Sequence, residues 1–330
     1  MYHDTSVTIT ALNIVKTCFR LRSLLESSVK RNLAEGILLS GGLDTSILAL
    51  IASRFASLKA FTVALEGAPA PDIQYASLMA RHLRLKHFIY YFDERELRDA
   101  VKAVVATVKS FDPMEVRNSV AIYEALKAAK REGLGSVISG DGCDELFAGY
   151  DFLVKMKGEK LKLELTKLWK AMSFSSIPLA QMLGIQVKLP YLDPELKQFA
   201  MEIDWRYKVQ SEKGRLWGKW ILRKAFEGIL PDEIVWRAKV PIEIGSGTTI
   251  LPKMFSQKIS DQEFEEKRKK YLAHDKVVIR DKEHLFYYEI YRSTVGVPYL
   301  ISSQGKKCPQ CSSNVDEAAT YCRTCGAYPI

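Results

Sequence analysis

The segment LLSGGLDTS, Leu38 to Ser46, constrains this chain more than any other stretch. A short apolar strand, 36–39, runs into Ser40-Gly41-Gly42, and a helix is expected to begin near Thr45. Two adjacent glycines let the backbone turn tightly and aim several N–H groups at one anion. The helix start adds partial positive charge there. Ser40, Thr45 and Ser46 add hydroxyl donors. An aspartate beside an anion site makes sense when a cation lies between them, so Asp44 is a candidate Mg²⁺ ligand. Two glycines alone would be read as an ordinary strand–helix turn with Asp44 as a cap. The full string argues for a phosphate-binding loop, one without the G-K-[ST] ending of the Walker pattern.

The surrounding pattern supplies a fold for that loop. Residues 9–33 carry apolar positions at helical spacing, as one amphipathic helix or two. After the first strand come a helix (TSILALIASRFAS), a strand (KAFTVALEG), and a helix opened by Asp72 as its N-cap. A strand (KHFIYYF), two helices, the second following Pro113, and the strand GSVISG complete the series. Strands alternating with helices imply crossover connections and a doubly wound parallel α/β sheet. Ligands in such sheets bind at the carboxyl ends of strands. Two strands here end in polar, glycine-rich loops, 40–46 and 140–144. Residues 151–292 read as helical, punctuated by prolines, and 293–307 as a linker.

The second loop, ISGDGCDELFAGYDF, gathers Asp141, Asp144 and Glu145 within five residues, beside Gly140 and Gly142. Clustered carboxylates repel one another unless a cation or proton relieves them. Alone, the loop reads equally well as a solvated acidic turn. Beside the phosphate loop it reads as a metal site, with Asp144 sharing Mg²⁺ with Asp44 and Asp141 at the reacting group.

These loops together resemble the synthetase domain of the asparagine synthetases, within the N-type ATP pyrophosphatases. The family's second loop reads S-G-E-G-S-D-E-L-F-G-G-Y; here Asp141 replaces Glu and Cys143 replaces Ser. FTVALEGAPAPD (61–72), SFDPMEVRNS (110–119), KLPYLDPEL (188–196), LPDEIVWRAKVPIEIGSG (230–247) and DKEHLFYYEIYR (281–292) extend the resemblance over roughly residues 30–292. The resemblance implies a Rossmann-like sheet that binds ATP and Mg²⁺, adenylates a carboxylate with loss of pyrophosphate, and transfers the acyl group to ammonia. It implies that Leu38, Val63 and Gly140 line the nucleotide. Ser40, Gly41, Gly42, Asp44, Thr45 and Ser46 would hold pyrophosphate and metal. Asp141, Lys239 and Arg117 would act on the reacting groups, Lys239 by meeting charge that builds in the transition state. Glutamine-dependent members begin with a catalytic cysteine on a separate domain, whereas this sequence starts Met1-Tyr2-His3. Free ammonia or a partner amidotransferase is therefore the expected nitrogen donor. Cys18, deep in a helix, is expected to be a small buried hydrophobe.

Four of the six cysteines form CPQC (308–311) and CRTC (322–325), ten residues apart. Two such knuckles suit a closed tetrahedral Zn²⁺ site, Cys308, Cys311, Cys322 and Cys325. A tail this short needs the metal to fold. It is expected to dock nucleic acid, a partner protein or the enzyme's own body. No apolar run of about 18 residues spells a membrane span, and the N-terminus lacks the order of a signal peptide; a cytoplasmic protein is expected. The net charge of +9 permits contact with polyanions. The rival reading is a pyrophosphate-loop tRNA-modifying enzyme docking RNA through the ribbon, with 154–170 as a further basic surface. His82, His87, His274 and His284 show no ligand spacing.

Overall fold

The computed structural model describes the backbone of residues 5–302, 305–317 and 319–330, and within these the side chains from residue 13 onward. Five parallel strands form one sheet: β1 (Gly36–Leu38), β2 (Lys59–Leu65), β3 (Lys86–Phe92), β4 (Ser136–Ile138) and β5 (Gln186–Lys188). Their spatial order is β3-β2-β1-β4-β5. The chain winds outward from β1 through β2 to β3, then returns to place β4 against the other side of β1. The winding reverses between β1 and β4, and loops leaving the two strands there diverge to open a crevice. This is the doubly wound α/β sheet that the alternation implied.

Helix α1 (Thr5–Arg31) precedes β1, and α2 (Leu43–Ala52), α3 (Asp72–His82), α4 (Glu94–Val108) and α5 (Pro113–Arg131) run between the first four strands. After β4 come α6 (Cys143–Phe147), α7 (Asp151–Val154), α8 (Gly158–Lys170) and α9 (Ser176–Leu183). After β5 follow α10 (Pro194–Glu202), α11 (Trp205–Lys208), the hairpin β6 (Gln210–Glu212) and β7 (Arg215–Trp217), and α12 (Trp220–Phe226). The chain closes with α13 (Asp232–Val235), α14 (Ile242–Gly245), α15 (Leu251–Lys258), α16 (Asp261–Asp275), α17 (Lys282–Thr294) and α18 (Pro298–Ile301).

Alternate strand residues feed opposite faces, and both faces are buried, as in a parallel sheet covered by crossovers. Phe61, Val63 and Leu65 join a core with α4, α5, α9, α15 and α17. Ala60, Ile37 and Leu39 join the other, with α1, α2, α3, α10 and α12. Cys18 lies in this second core, 6% exposed. The basic helix α8 turns Leu161 and Leu165 inward onto a small cluster with Leu153.

Several local expectations shift. The N-terminal segment is one helix, α1; its Leu12 side chain lies outside the described residues. Asp72 does not cap α3: Pro71 holds that position and the Asp72 carboxylate is taken by Arg237 instead, 2.6 Å away. β5 and the β6–β7 hairpin lie inside the stretch read as helical. Three-residue strands with polar ends show too little alternation to be legible. Residues 293–307 include the end of α17 and α18, with 303 and 304 outside the described residues. No described helix is long and apolar enough to cross a membrane.

Candidate active site

The loop after β1 is built as its glycines require. Gly41 has φ +67°, and a Cβ there would lie 2.3 Å from the backbone of Tyr75 and Ala76. The Thr45 hydroxyl closes the turn, 3.2 Å from Ser40 Oγ and 3.3 Å from Ser40 N, while Gly42 N donates to Ser40 Oγ at 3.2 Å. The first turn of α2 follows, with Ser46 N on Gly42 O at 3.1 Å. Ser46 Oγ is buried without a hydrogen-bond partner among the described residues. Such an orphaned hydroxyl at an anion-shaped turn is the kind of donor a phosphate would satisfy.

The acidic loop after β4 packs directly on this turn. A Cβ on Gly140 would stand 3.1 Å from Thr45 Cγ2 and 3.4 Å from Asp44 Cβ. Asp44 and Asp144 thereby face one cation, but it is a lysine: Lys219 Nζ lies 2.5 Å from Asp44 Oδ2 and 2.6 Å from Asp144 Oδ1. Lys239 Nζ adds a second ion pair, 2.8 Å from Asp144 Oδ2. Burial by itself would raise the Asp144 pKa, yet Lys219 and Lys239 hold that carboxyl well below the usual carboxylate range. Burial would likewise lower Lys219, but Asp144 and Asp44 push it well above an ordinary lysine. Gly149 makes the arrangement possible, since a Cβ there would fall 1.8 Å from Asp144 Oδ1 and 2.2 Å from Lys219 Cε. Lys219 itself sits at φ +55°, a conformation a non-glycine residue adopts when its surroundings hold it there.

Other groups complete the shell. The Cys143 thiol donates to Asp44 Oδ1 at 3.2 Å, and Tyr191 Oη donates to the Asp44 carbonyl at 3.1 Å. Arg237 donates to the Ser40 carbonyl at 3.0 Å, so it grips the loop backbone while paired with Asp72. Asp141 lies in the same acidic loop and accepts from Ser176 Oγ at 2.5 Å. Burial raises its pKa, with Ser176 and Ser139 opposing. Glu145 is raised by burial too, against a hydrogen bond from Tyr150 at 2.5 Å. Leu38 ends β1, and Val63 lies in the carboxyl half of the neighbouring β2. Arg117 takes a different setting. Its guanidinium pairs with Glu243 at 2.6 Å and Glu283 at 2.8 Å, and those bonds go to neither loop.

Lys219, Cys143, Tyr191, Ser139 and Ser176 have no part in the reading of the sequence as site residues. Only Lys219 had a local signal, the glycine before it in WGKW. Its partner loops lie 175 and 75 residues upstream.

The donor set suits the implied cations. Asp44 and Asp144 offer hard oxygens, and Asp144 Oδ1 makes no well-directed hydrogen bond even beside Lys219. The four ribbon cysteines are buried and unbridged, with sulfurs all within 4.8 Å of one another. The Cys308–Cys325 and Cys311–Cys322 sulfurs are each 3.7 Å apart. A Zn–S bond of about 2.3 Å in a tetrahedron requires about 3.8 Å between sulfurs. His284, buried beside the ribbon, accepts from Arg280 N at 3.2 Å through Nδ1 and is not part of the sulfur cluster.

Comparison with known proteins points to one family. The family model described as asparagine synthase matches residues 20–178 and 178–289. The asparagine synthetase B (glutamine-hydrolyzing) of Escherichia coli strain K12 is 30% identical over 305 residues, covering 84% of this chain and 54% of that protein. The asparagine synthetase (glutamine-hydrolyzing) of Sandersonia aurantiaca is 32% identical over 252 residues, 69% of this chain and 47% of that protein. The chain thus spans about half the length of these curated relatives. A solved structure of NMN synthetase from Francisella tularensis matches at 16% identity, 57% of this chain and 92% of that one, with a TM-score of 0.30. On its strand-end loops and on these matches, the chain belongs to the asparagine synthase family.

Proposed function

We propose that this chain is an ATP-dependent, amide-forming ligase that activates a carboxylate as its acyl-adenylate and passes the acyl group to ammonia. The observation carrying this reading is the meeting of Asp44 and Asp144 on one buried ammonium, at the end of β1 where the glycine turn opens. Phosphoryl-group chemistry of this kind needs an anion cradle, a cation and fixed positive charge, and little else from the protein.

In this reading Leu38, Val63 and Gly140 flank the nucleotide. The Ser40-Gly41-Gly42 turn, Thr45 and the orphaned Ser46 hydroxyl hold the β- and γ-phosphates. Asp44 and Asp144 would hold Mg²⁺, which when bound draws charge from the phosphate oxygens. A substrate carboxylate oxygen attacks the α-phosphorus; the α–β bridging bond breaks and pyrophosphate leaves. Ammonia then attacks the acyl carbon, the acyl–oxygen bond to AMP breaks, and the nitrogen loses a proton. Lys239, paired with Asp144, would meet the negative charge on the α-phosphate and acyl oxygens. Lys219 keeps Asp144 ionised and draws the two aspartates together. Asp141 stands beside the acyl centre, and Arg117, clamped by Glu243 and Glu283, shapes the acyl side. Aspartate is the first substrate to test, with ammonia delivered free or from an amidotransferase partner.

The test is pyrophosphate release from ATP and Mg²⁺ with ammonia, screened over aspartate, other amino acids, acidic protein tails and tRNA. Turnover with a carboxylate and stoichiometric AMP is expected. Asp44→Ala should lose it by at least about 100-fold while staying folded. Full activity in that variant removes Asp44 from the mechanism, and stimulation by tRNA alone would replace the ligase reading.

A further inference from the structure

A second polar network begins at the cysteine ribbon and ends at Asp141. The Tyr321 hydroxyl donates to Asp112 Oδ2. Phe111 N donates to the Thr324 carbonyl at 2.7 Å, and Ser110 Oγ to the Arg323 carbonyl at 2.6 Å. Gly326 packs so closely that a Cβ there would lie 2.2 Å from Asp112 Oδ1. Asp112 is the N-cap of α5, accepting from Met114 N at 3.3 Å and Glu115 N at 3.4 Å. One turn further, the Ser119 hydroxyl lies 3.1 Å from Glu115 Oε1 and 2.8 Å from Ser175 Oγ. The next residue, Ser176, opens α9 and holds Asp141. The ribbon also grips this segment from its other end, where the Arg323 guanidinium donates to the Ala171 carbonyl.

We propose that the metal-folded ribbon is an internal brace that positions Asp141. It fixes the start of α5 through Asp112, and α5 fixes the first turn of α9 through Glu115, Ser119 and Ser175. Tyr321, Ser119 and Ser175 are positioning residues in this scheme, and it rests on the reading of Asp141 as the group beside the acyl centre. The phosphate turn and its aspartate pair draw their support elsewhere. Leu43 and Ile47 of α2, Cys143 of α6, and the α12 residues after Lys219 pack in the core on the opposite face of the sheet from the ribbon cysteines. Loosening the ribbon should therefore separate the two halves of the reaction, sparing ATP binding while slowing acyl transfer.

The full-length zinc-loaded chain and its Tyr321→Phe, Ser175→Ala and Ser175→Thr variants test this. Each is followed by hydrogen–deuterium exchange, by ATP–Mg²⁺ affinity and by steady-state pyrophosphate release. In Tyr321→Phe and Ser175→Ala the amides of Ile177 and Leu179 to Gln181 should exchange at least about tenfold faster, while those of α2 are unchanged. The Kd for ATP should move less than about twofold and kcat fall about tenfold or more, because small displacements of a reacting group cost rate rather than affinity. Ser175→Thr, which keeps the hydroxyl, should recover most of the lost rate. Unchanged exchange at 177–181 in Tyr321→Phe overturns the brace, as does a loss of ATP affinity equal to the loss in kcat. If the wild-type chain releases no pyrophosphate with any carboxylate, the proposed reaction falls, and exchange alone still decides the brace.

Discussion

Lys219 illustrates what one side chain can settle. Its ammonium is buried, and an unpaired charge in that position would be prohibitive; two carboxylates at 2.5 and 2.6 Å make it tenable. Lys219→Met should cost about 3–5 kcal/mol, since it leaves Asp44 and Asp144 facing each other without that charge. Urea unfolding measures the loss, and added Mg²⁺ should stabilise this variant more than the wild type. Stability equal to wild type would mean that the ammonium is not what relieves the aspartates. Two neighbours on α17 make a pH prediction. Burial, opposed by Arg117, pushes Glu283 up to about 7. Its folded state therefore holds a proton that the unfolded chain gives up near pH 4.3, so stability falls as pH rises between about 4.3 and 7. Burial pulls His284 down to about 3. The unfolded chain protonates that ring near pH 6.5, so stability falls as pH drops from about 6.5 toward 3. Glu283→Gln and His284→Gln should tilt the stability curve between pH 4.5 and 6.5 in opposite directions, read as Tm against pH. Equal slopes in both variants would refute the assignment.

At the scale of elements, the strand-end turn and the start of α5 carry the site. Gly41 needs a left-handed backbone and has another chain segment 2.3 Å from where a Cβ would be. Gly41→Ala should cost about 1–2 kcal/mol for the conformation alone, and more for the overlap with α3. ATP affinity, measured by calorimetry, should drop with it, whereas Gly67→Ala, whose added Cβ meets nothing within 4 Å, should leave that affinity intact. The α5 cap acts through two partners at once. Asp112→Ala should remove about 1 kcal/mol of capping and also release the Tyr321 hydroxyl. Ribbon amides in that variant should then exchange faster than in the wild type.

Across the whole molecule, the sheet divides labour between its two faces. One core carries α1, α2, α3, α10 and α12 under the phosphate turn; the other carries α4, α5, α9, α17 and the ribbon cysteines. A metal held by the four buried thiols would supply the folding energy of a ribbon this small. Chelation, or Cys311→Ser, should unfold residues 308–330 and lower the Tm of the body by at least about 3 °C, as its hydrogen bonds with Ser110, Phe111 and Asp112 are lost. Protected amides in α2 and β2 should persist. If chelation left the Tm and ribbon exchange unchanged, the four thiols would not be holding a structural ion.

The amino-acid sequence by itself determined the strand–turn–helix at 38–46, the acidic turn at 140–145, the alternation behind a parallel sheet, and the paired cysteine knuckles. The two turns and the knuckles are each written within a dozen or two residues, and the alternation is a series of such local signals, where spacing and backbone preference suffice. Tertiary structure alone decided that Lys219 stands between Asp44 and Asp144, that Arg237 holds the Ser40 carbonyl, that Arg117 faces Glu243 and Glu283, that 186–188 is a strand, and that the ribbon lies against the start of α5. Most of these join groups more than a hundred residues apart. A buried charge chooses its partner by what the folded core brings within about 3 Å, and no local pattern records that choice.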